Sequence, residues 1–267
     1  MVVHPRLFEI GRLSFTTYGA VLACGILAAL AFAADGARRL RLPEDRVLRL
    51  CLVGTAAAIL AQRVLDAMLA WGNLGMPAAL WSLARAPGAG SSLPSTAAAA
   101  LAFLAVFLAG ARRARLPLLR AADAIAPSLA LVASAASVAC LEAGCDSGLP
   151  TTLPWGLTFT SPLLPPGVPR GIPLHPVQAY ASAAEFLIFL ALLLRLRAFR
   201  REGEVFGAGL FLIGLLDGLL TPLRADAGPA LFAGALSIGQ TIDIVMVLAG
   251  AAFWLTRARD GQAGHAG

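Results

Sequence analysis

Residues 121–143 read AADAIAPSLALVASAASVACLEA, and this stretch decides the fold. Its 23 residues carry only two charges, Asp123 and Glu142, one near each end. A helix rises about 1.5 Å per residue, so the run is long enough to cross a hydrocarbon core of about 30 Å. A burst of arginines (Arg112, Arg113, Arg115 and Arg120) precedes it, and a Gly-, Pro-, Ser- and Thr-rich segment, 144–175, follows it. The whole chain shares this character. Its 267 residues are 58% hydrophobic and 13% charged, with a mean hydropathy of +0.78. Soluble domains carry about 25% charged residues, so this composition excludes a disordered chain and argues against a soluble enzyme.

Seven runs are apolar enough to span a membrane: about 15–34, 47–71, 95–110, 121–143, 176–194, 205–220 and 237–255. None shows the two-residue alternation of a barrel strand, so helices remain as the way to satisfy the backbone in lipid. The expected fold is an all-α integral membrane protein, a seven-transmembrane helical bundle with irregular outer (periplasmic) loops, forming one domain over 1–267. Ala31-Phe32-Ala33 is similar to a signal-peptidase site, and cleavage there would leave six spans. The run is long for a leader, so the first span is retained. All 21 basic residues are arginine. They concentrate in 35–49, 111–120, 195–204 and the C-terminal tail, with few in the alternate segments. That bias predicts a multi-pass protein of the bacterial cytoplasmic (inner) membrane, N-terminus outside and C-terminus cytoplasmic. The net charge of +6 is therefore a topological signal. No basic and aromatic interleaving points to nucleic acid. The long outer segments 72–94 and 144–175 place the work of the protein at the outer face. No internal repeat supports an inverted-repeat transporter.

Charges inside the spans are site candidates, because each costs about 2.5–3.5 kcal/mol to insert. They are Arg63, Asp66, Asp123, Glu142, Glu185, Asp217 and Asp243. Arg63 and Asp66 are three apart and can pair on one helix face. Asp123, beside Arg120, reads as a capping or orienting residue. Glu185 reads as interfacial, and Asp217 as a mid-span acid without a local partner. His175 and Gln178 open span five, where they can cap the helix or serve a site. Gly214 and Gly218 form a small-residue packing step. The four cysteines form no disulfide framework: Cys24 and Cys51 read as small hydrophobes, and the Cys140/Cys145 spacing matches no common zinc site. No metal or cofactor is expected.

Read together, several short motifs resemble the bacterial prolipoprotein diacylglyceryl transferases. They are Phe8-Glu9-Ile10-Gly11 with Tyr18-Gly19, Ala61-Gln62-Arg63, Asp123-Ala124-Ile125-Ala126-Pro127, Ala143-Gly144-Cys145-Asp146-Ser147-Gly148, Pro150-Thr151, Pro154-Trp155-Gly156, His175-Pro176-Val177-Gln178-Ala179-Tyr180 and Leu236-Ser237-Ile238-Gly239-Gln240. The resemblance covers nearly the whole chain in order. It implies transfer of a diacylglyceryl group from phosphatidylglycerol to the lipobox cysteine of a preprolipoprotein, at the outer leaflet. It also implies a phospholipid partner, a preprolipoprotein signal peptide as second substrate, His175 as the catalytic base, and Tyr18, Arg63, Gln178, Tyr180, Arg224 and Gln240 as lipid- or phosphate-binding residues, with Ser237 beside them.

The sequence departs from that family pattern where the chemistry is expected. The family's Gly-Arg-x-Gly-Asn is here Ala136-Ser137-Val138-Ala139-Cys140, so Ser137 takes the arginine's place. No histidine stands in 88–95, where the family has His-Gly-Gly, and Ala181 replaces an acid. Ile213, Asp217 and Thr221 replace a tyrosine, an arginine and a glutamate. Three classes of function stay open at this point: the transferase, a catalytically inactive lipid-binding paralogue or lipoprotein-processing partner, and a small transporter working through Asp217.

Overall fold

The computed structural model describes residues 6–10, 13–74, 76, 93–161, 164, 168–199, 201–225, 230–231 and 236–263. A hairpin, β1 (Arg6–Ile10) and β2 (Leu13–Thr16), leads into α1 (Thr17–Arg39). The Thr16 hydroxyl accepts from the Gly19 amide at 3.1 Å and starts that helix. There follow α2 (Glu44–Leu74), α3 (Leu93–Arg113) and α4 (Leu118–Ala143). A two-residue pairing of β3 (Leu157–Thr158) with β4 (Pro173–Leu174) precedes α5 (Val177–Arg197) and α6 (Glu204–Leu220). A 3-10 turn, Thr221–Leu223, and a second minimal pairing, β5 (Ala230–Leu231) with β6 (Leu236–Ser237), lead to α7 (Ile238–Ala263).

Six of these helices have the length and hydropathy to span a membrane, and the apolar part of α7, Ile238–Phe253, is shorter. The seven expected spans are thus seven helices of an all-α membrane bundle. The third and sixth runs, short in the sequence reading, extend into their flanks.

Alternating chain direction gives the bundle two unlike ends. One gathers the arginine-rich turns. There the tripeptide Arg-Leu-Pro makes the same turn twice, at Arg41-Leu42-Pro43 and at Arg115-Leu116-Pro117. Both arginines adopt φ 54°. The following leucine amide reaches back to Ala37 O at 2.8 Å and to Ala111 O at 2.9 Å, closing the helix as a Schellman-like cap while Leu42 and Leu116 enter the core. Arg38 and Arg39, Arg112 and Arg113, and Arg195 and Arg197 occupy last helical turns, where the dipole favours cations. The other end, which carries 144–161 and 168–176, is termed the loop end.

At the centre, α4 packs against α1, α5 and α6. Small residues permit close approach: a Cβ on Gly36 would lie 2.2 Å from Ala124 O of α4. Gly214 does the same for α6 against α7, where a Cβ would meet Asp243 O and Met246 Cβ at 2.8 Å. Asp123 orients a helix, but not its own. Fully buried, it accepts hydrogen bonds from the Gly203 amide and, at 2.8 Å, from the Phe206 amide, capping α6 at the arginine end. Nearby, Arg120 pairs with Glu202 and Arg195 with Glu204. Leucines such as Leu27 and Leu219, each 67% exposed, form the lipid-facing exterior.

Candidate functional site

Helix α4 ends at the loop end in a chain reversal. Gly144 adopts φ 76°, and the Gly144 and Cys145 amides both donate to Cys140 O. This reversal brings the Cys140 and Cys145 Cα atoms to 5.0 Å, within the range of a disulfide, and the two sulfurs are bonded. That corrects the expectation of no disulfide. The pair lies in a cap whose geometry the spacing alone does not show. Their ligand atoms and the Asp146 carboxylate lie within 4.8 Å of one another, but the sulfurs are engaged with each other.

Asp146 follows with φ 54°, and the next residues are stitched between two others. On one side the Leu149 amide donates to Leu223 O at 2.8 Å, the Ala225 amide donates to Ser147 O at 2.9 Å, and Gly148 bridges Arg224. On the other side the His175 amide donates to Leu149 O at 2.9 Å. Gly148 sits so tightly that a Cβ there would come within 2.3 Å of His175 O. The segment 146–150 therefore holds His175 and Arg224 on its two edges. Arg224 forms an ion pair with Asp146 at 3.3 Å.

Other expected site residues gather around this seam. Gln178 is buried and its Nε2 donates to Cys145 O. Tyr180 is held by Trp155, whose indole N–H donates to the phenol oxygen at 2.7 Å. Tyr18, in the first turn of α1, lies within electrostatic reach of Asp146, Arg63 and Asp66, so α1 and α2 contribute to the same end. Gln240 and Ser237 are committed to each other. The Gln240 amide donates to Ser237 Oγ at 3.1 Å, and the Ser237 amide donates to Gln240 Oε1 at 2.9 Å, forming a capping box at the start of α7. The segment in which the family's His-Gly-Gly is missing, 88–95, falls largely outside the described residues.

The carboxylates are placed differently from their sequence reading. Glu185 is not interfacial: it is 6% exposed, two turns inside α5, and accepts from the Ser137 hydroxyl at 2.7 Å. Asp217 is not mid-span. It sits in the last turn of α6, and its carbonyl accepts from Thr221 Oγ1 at 2.8 Å. Asp243 is buried on the facing helix, where the same hydroxyl donates to it at 3.5 Å. Glu185, Asp217 and Asp243 all lie within electrostatic reach of Arg224. A groove of about 310 Å³ runs between α6 and α7, with Gln240 and Asp243 among apolar walls that include Leu219 and Leu248. Exposed leucines, Leu215, Leu219 and Leu248, stand along it.

A family model described as "Prolipoprotein diacylglyceryl transferase" matches residues 5–256. The chain belongs to the prolipoprotein diacylglyceryl transferase family. A phosphatidylglycerol–prolipoprotein diacylglyceryl transferase of Clostridium tetani is 30% identical over 249 residues, 93% of this chain and 95% of the relative. A protein of the same name from Synechococcus elongatus is 29% identical over 255 residues, covering 92% and 84% of the two chains. Another from Bordetella parapertussis is 34% identical over 158 residues, 58% of each chain. The protein is thus a multi-pass membrane protein of a bacterial family. Within this family member, the sequence reading missed Asp146 as the partner of Arg224. The one available signal was the adjacent Gly144-Cys145, which marks a helix end but not its neighbour across the bundle.

Proposed function

We propose that the protein transfers a diacylglyceryl group from phosphatidylglycerol or a related glycerophospholipid to the lipobox cysteine of a preprolipoprotein. The family match over nearly the whole chain carries this reading. The arrangement of His175 and Arg224 on either edge of the 146–150 segment supports it. In this scheme Arg224, with Arg63, binds the phosphate leaving group, for which a guanidinium is geometrically suited. His175 takes the thiol proton. Tyr18, Gln178 and Tyr180 line the headgroup region, and the α6–α7 groove takes an acyl chain.

The loop end faces the outer leaflet of the bacterial cytoplasmic membrane, with the N-terminus outside and the arginine end cytoplasmic. The arginine distribution supports that orientation, as does the Cys140–Cys145 disulfide at the loop end, since disulfides persist in oxidising compartments. The test is expression in a bacterial strain depleted of its own transferase, reading growth and prolipoprotein lipidation. Rescue is expected. Absence of lipidation by a protein shown to be folded and in the membrane refutes the proposal.

A further inference from the structure

At the arginine end the chain repeats one octapeptide. Gly36-Ala37-Arg38-Arg39-Leu40-Arg41-Leu42-Pro43 and Gly110-Ala111-Arg112-Arg113-Ala114-Arg115-Leu116-Pro117 differ at a single position. The first copy joins α1 to α2 and the second joins α3 to α4. Arg41 and Arg115 occupy the position just past each helix cap, where φ is 54° and glycine is usual. Their amides bond Arg38 O at 3.1 Å and Arg112 O at 3.0 Å, contacts that glycine would make equally well. An L residue is disfavoured against glycine in this conformation. Closing the turn therefore does not account for an arginine there, twice.

The two turns lie side by side. Leu42 and Leu116 enter one core cluster with Val47 and Ala111. Arg46, in the first turn of α2, donates from Nη1 to Ala114 O at 3.2 Å, next to Arg115. Arg41, Arg46, Arg112, Arg113 and Arg115 are all exposed, and among the described residues none of the five has a carboxylate partner. The acids of the first copy are engaged elsewhere, Asp35 with Arg39 and Glu44 with Arg38. Ala109 and Leu118 stand at the matching positions of the second copy, so its arginines have no such local acids. Asp45, exposed, is the remaining carboxylate of the two turns.

We propose that these two turns together bind the phosphate of an anionic phospholipid in the leaflet at the arginine end. The helices that end at Arg39 and Arg113 are long and apolar enough to span a membrane, so Arg41 and Arg115 stand at headgroup depth. Guanidinium groups hold phosphate oxygens bidentately, and basic clusters at the ends of spans attract anionic lipid. Arg46 ties the two turns into one surface. The lipid-facing leucines of the bundle lead to it, which favours a membrane lipid over a soluble anion. The site is at the opposite end from His175 and Arg224, goes beyond the transferase reading and does not rest on it.

The test uses the full-length protein in phosphatidylcholine vesicles with and without phosphatidic acid. Two quantities are read: the phosphatidic acid retained by the protein relative to phosphatidylcholine, and the thermal unfolding midpoint. Phosphatidic acid should be enriched and should raise the midpoint. The double variant Arg41→Gly with Arg115→Gly removes both guanidinium groups while suiting the left-handed backbone. Its enrichment should fall about fivefold for each arginine removed. In phosphatidylcholine alone its midpoint should stay within a few degrees of the wild-type value. Arg112→Gln with Arg113→Gln, which leaves both caps untouched, should lower the enrichment likewise. Undiminished enrichment in both variants overturns the proposal. A large loss of stability of the glycine variant in phosphatidylcholine also overturns it, by making the arginines structural. Displacement of the retained lipid by an equal concentration of inorganic phosphate overturns the lipid assignment in favour of a soluble anion. Neither readout needs turnover, so the outcome is separate from that of the transferase reading.

Discussion

Arg224→Gln separates catalysis from folding. Arg224 and Asp146 are 3.3 Å apart, with side chains 28% and 38% exposed. A partly solvated pair of this kind contributes about 0–1 kcal/mol to stability. The backbone that positions Arg224 is unaffected, because Leu149, Ala225 and Gly148 hold that strand through main-chain contacts. A charge-assisted hydrogen bond to phosphate is worth about 1.5–3 kcal/mol, so losing it should slow transfer about 10- to 150-fold. The assay pairs lipobox-peptide lipidation in vesicles with thermal unfolding in detergent. Lipidation should fall by that factor while the unfolding midpoint moves by only a few degrees. Unchanged lipidation refutes the assignment of Arg224 to phosphate. A large loss of thermal stability refutes the claim that its pair with Asp146 is energetically minor. Asp146→Asn, which removes this ion pair and keeps the guanidinium, should leave lipidation at least at its original rate.

Three further outcomes follow from the packing. Asp123→Ala leaves the Gly203 and Phe206 amides without their buried acceptor and should cost about 3 kcal/mol or more, seen as a lower unfolding midpoint and reduced membrane yield. Cys145→Ser should lower stability by about 2 kcal/mol, the effect expected for so short a closed loop, and mass spectrometry under non-reducing conditions should show the native pair as a bonded 140–145 peptide. Gln240→Ala removes half of a capping box and should cost about 1 kcal/mol of stability, with lipid retention changing less than in the Arg224 variant.

Membrane class and helix number were legible in the sequence because both rest on run length and hydropathy. Runs such as 121–143 are long enough to cross lipid wherever they pack. The arginine-rich turns were legible for the same local reason, and so was the placement of His175, Gln178 and Arg224 at one end, since alternating spans return to it. Contacts between distant segments were not legible. Asp123 caps α6 rather than its own helix, across 80 residues. Asp217 lies in the last turn of α6 because the α-helix stops at Leu220, where the chain tightens into the 3-10 turn at Thr221. Cys140 and Cys145 meet because Gly144 reverses the chain in a left-handed cap, a conformation the five-residue spacing permits without specifying. The carboxylates within electrostatic reach of Arg224 come from α5, α6 and α7, and Asp146 pairs with it directly. Their separation along the chain carries no information about their separation in space, so only the packing of α4 against α5 and α6, and of α6 against α7, brought them together.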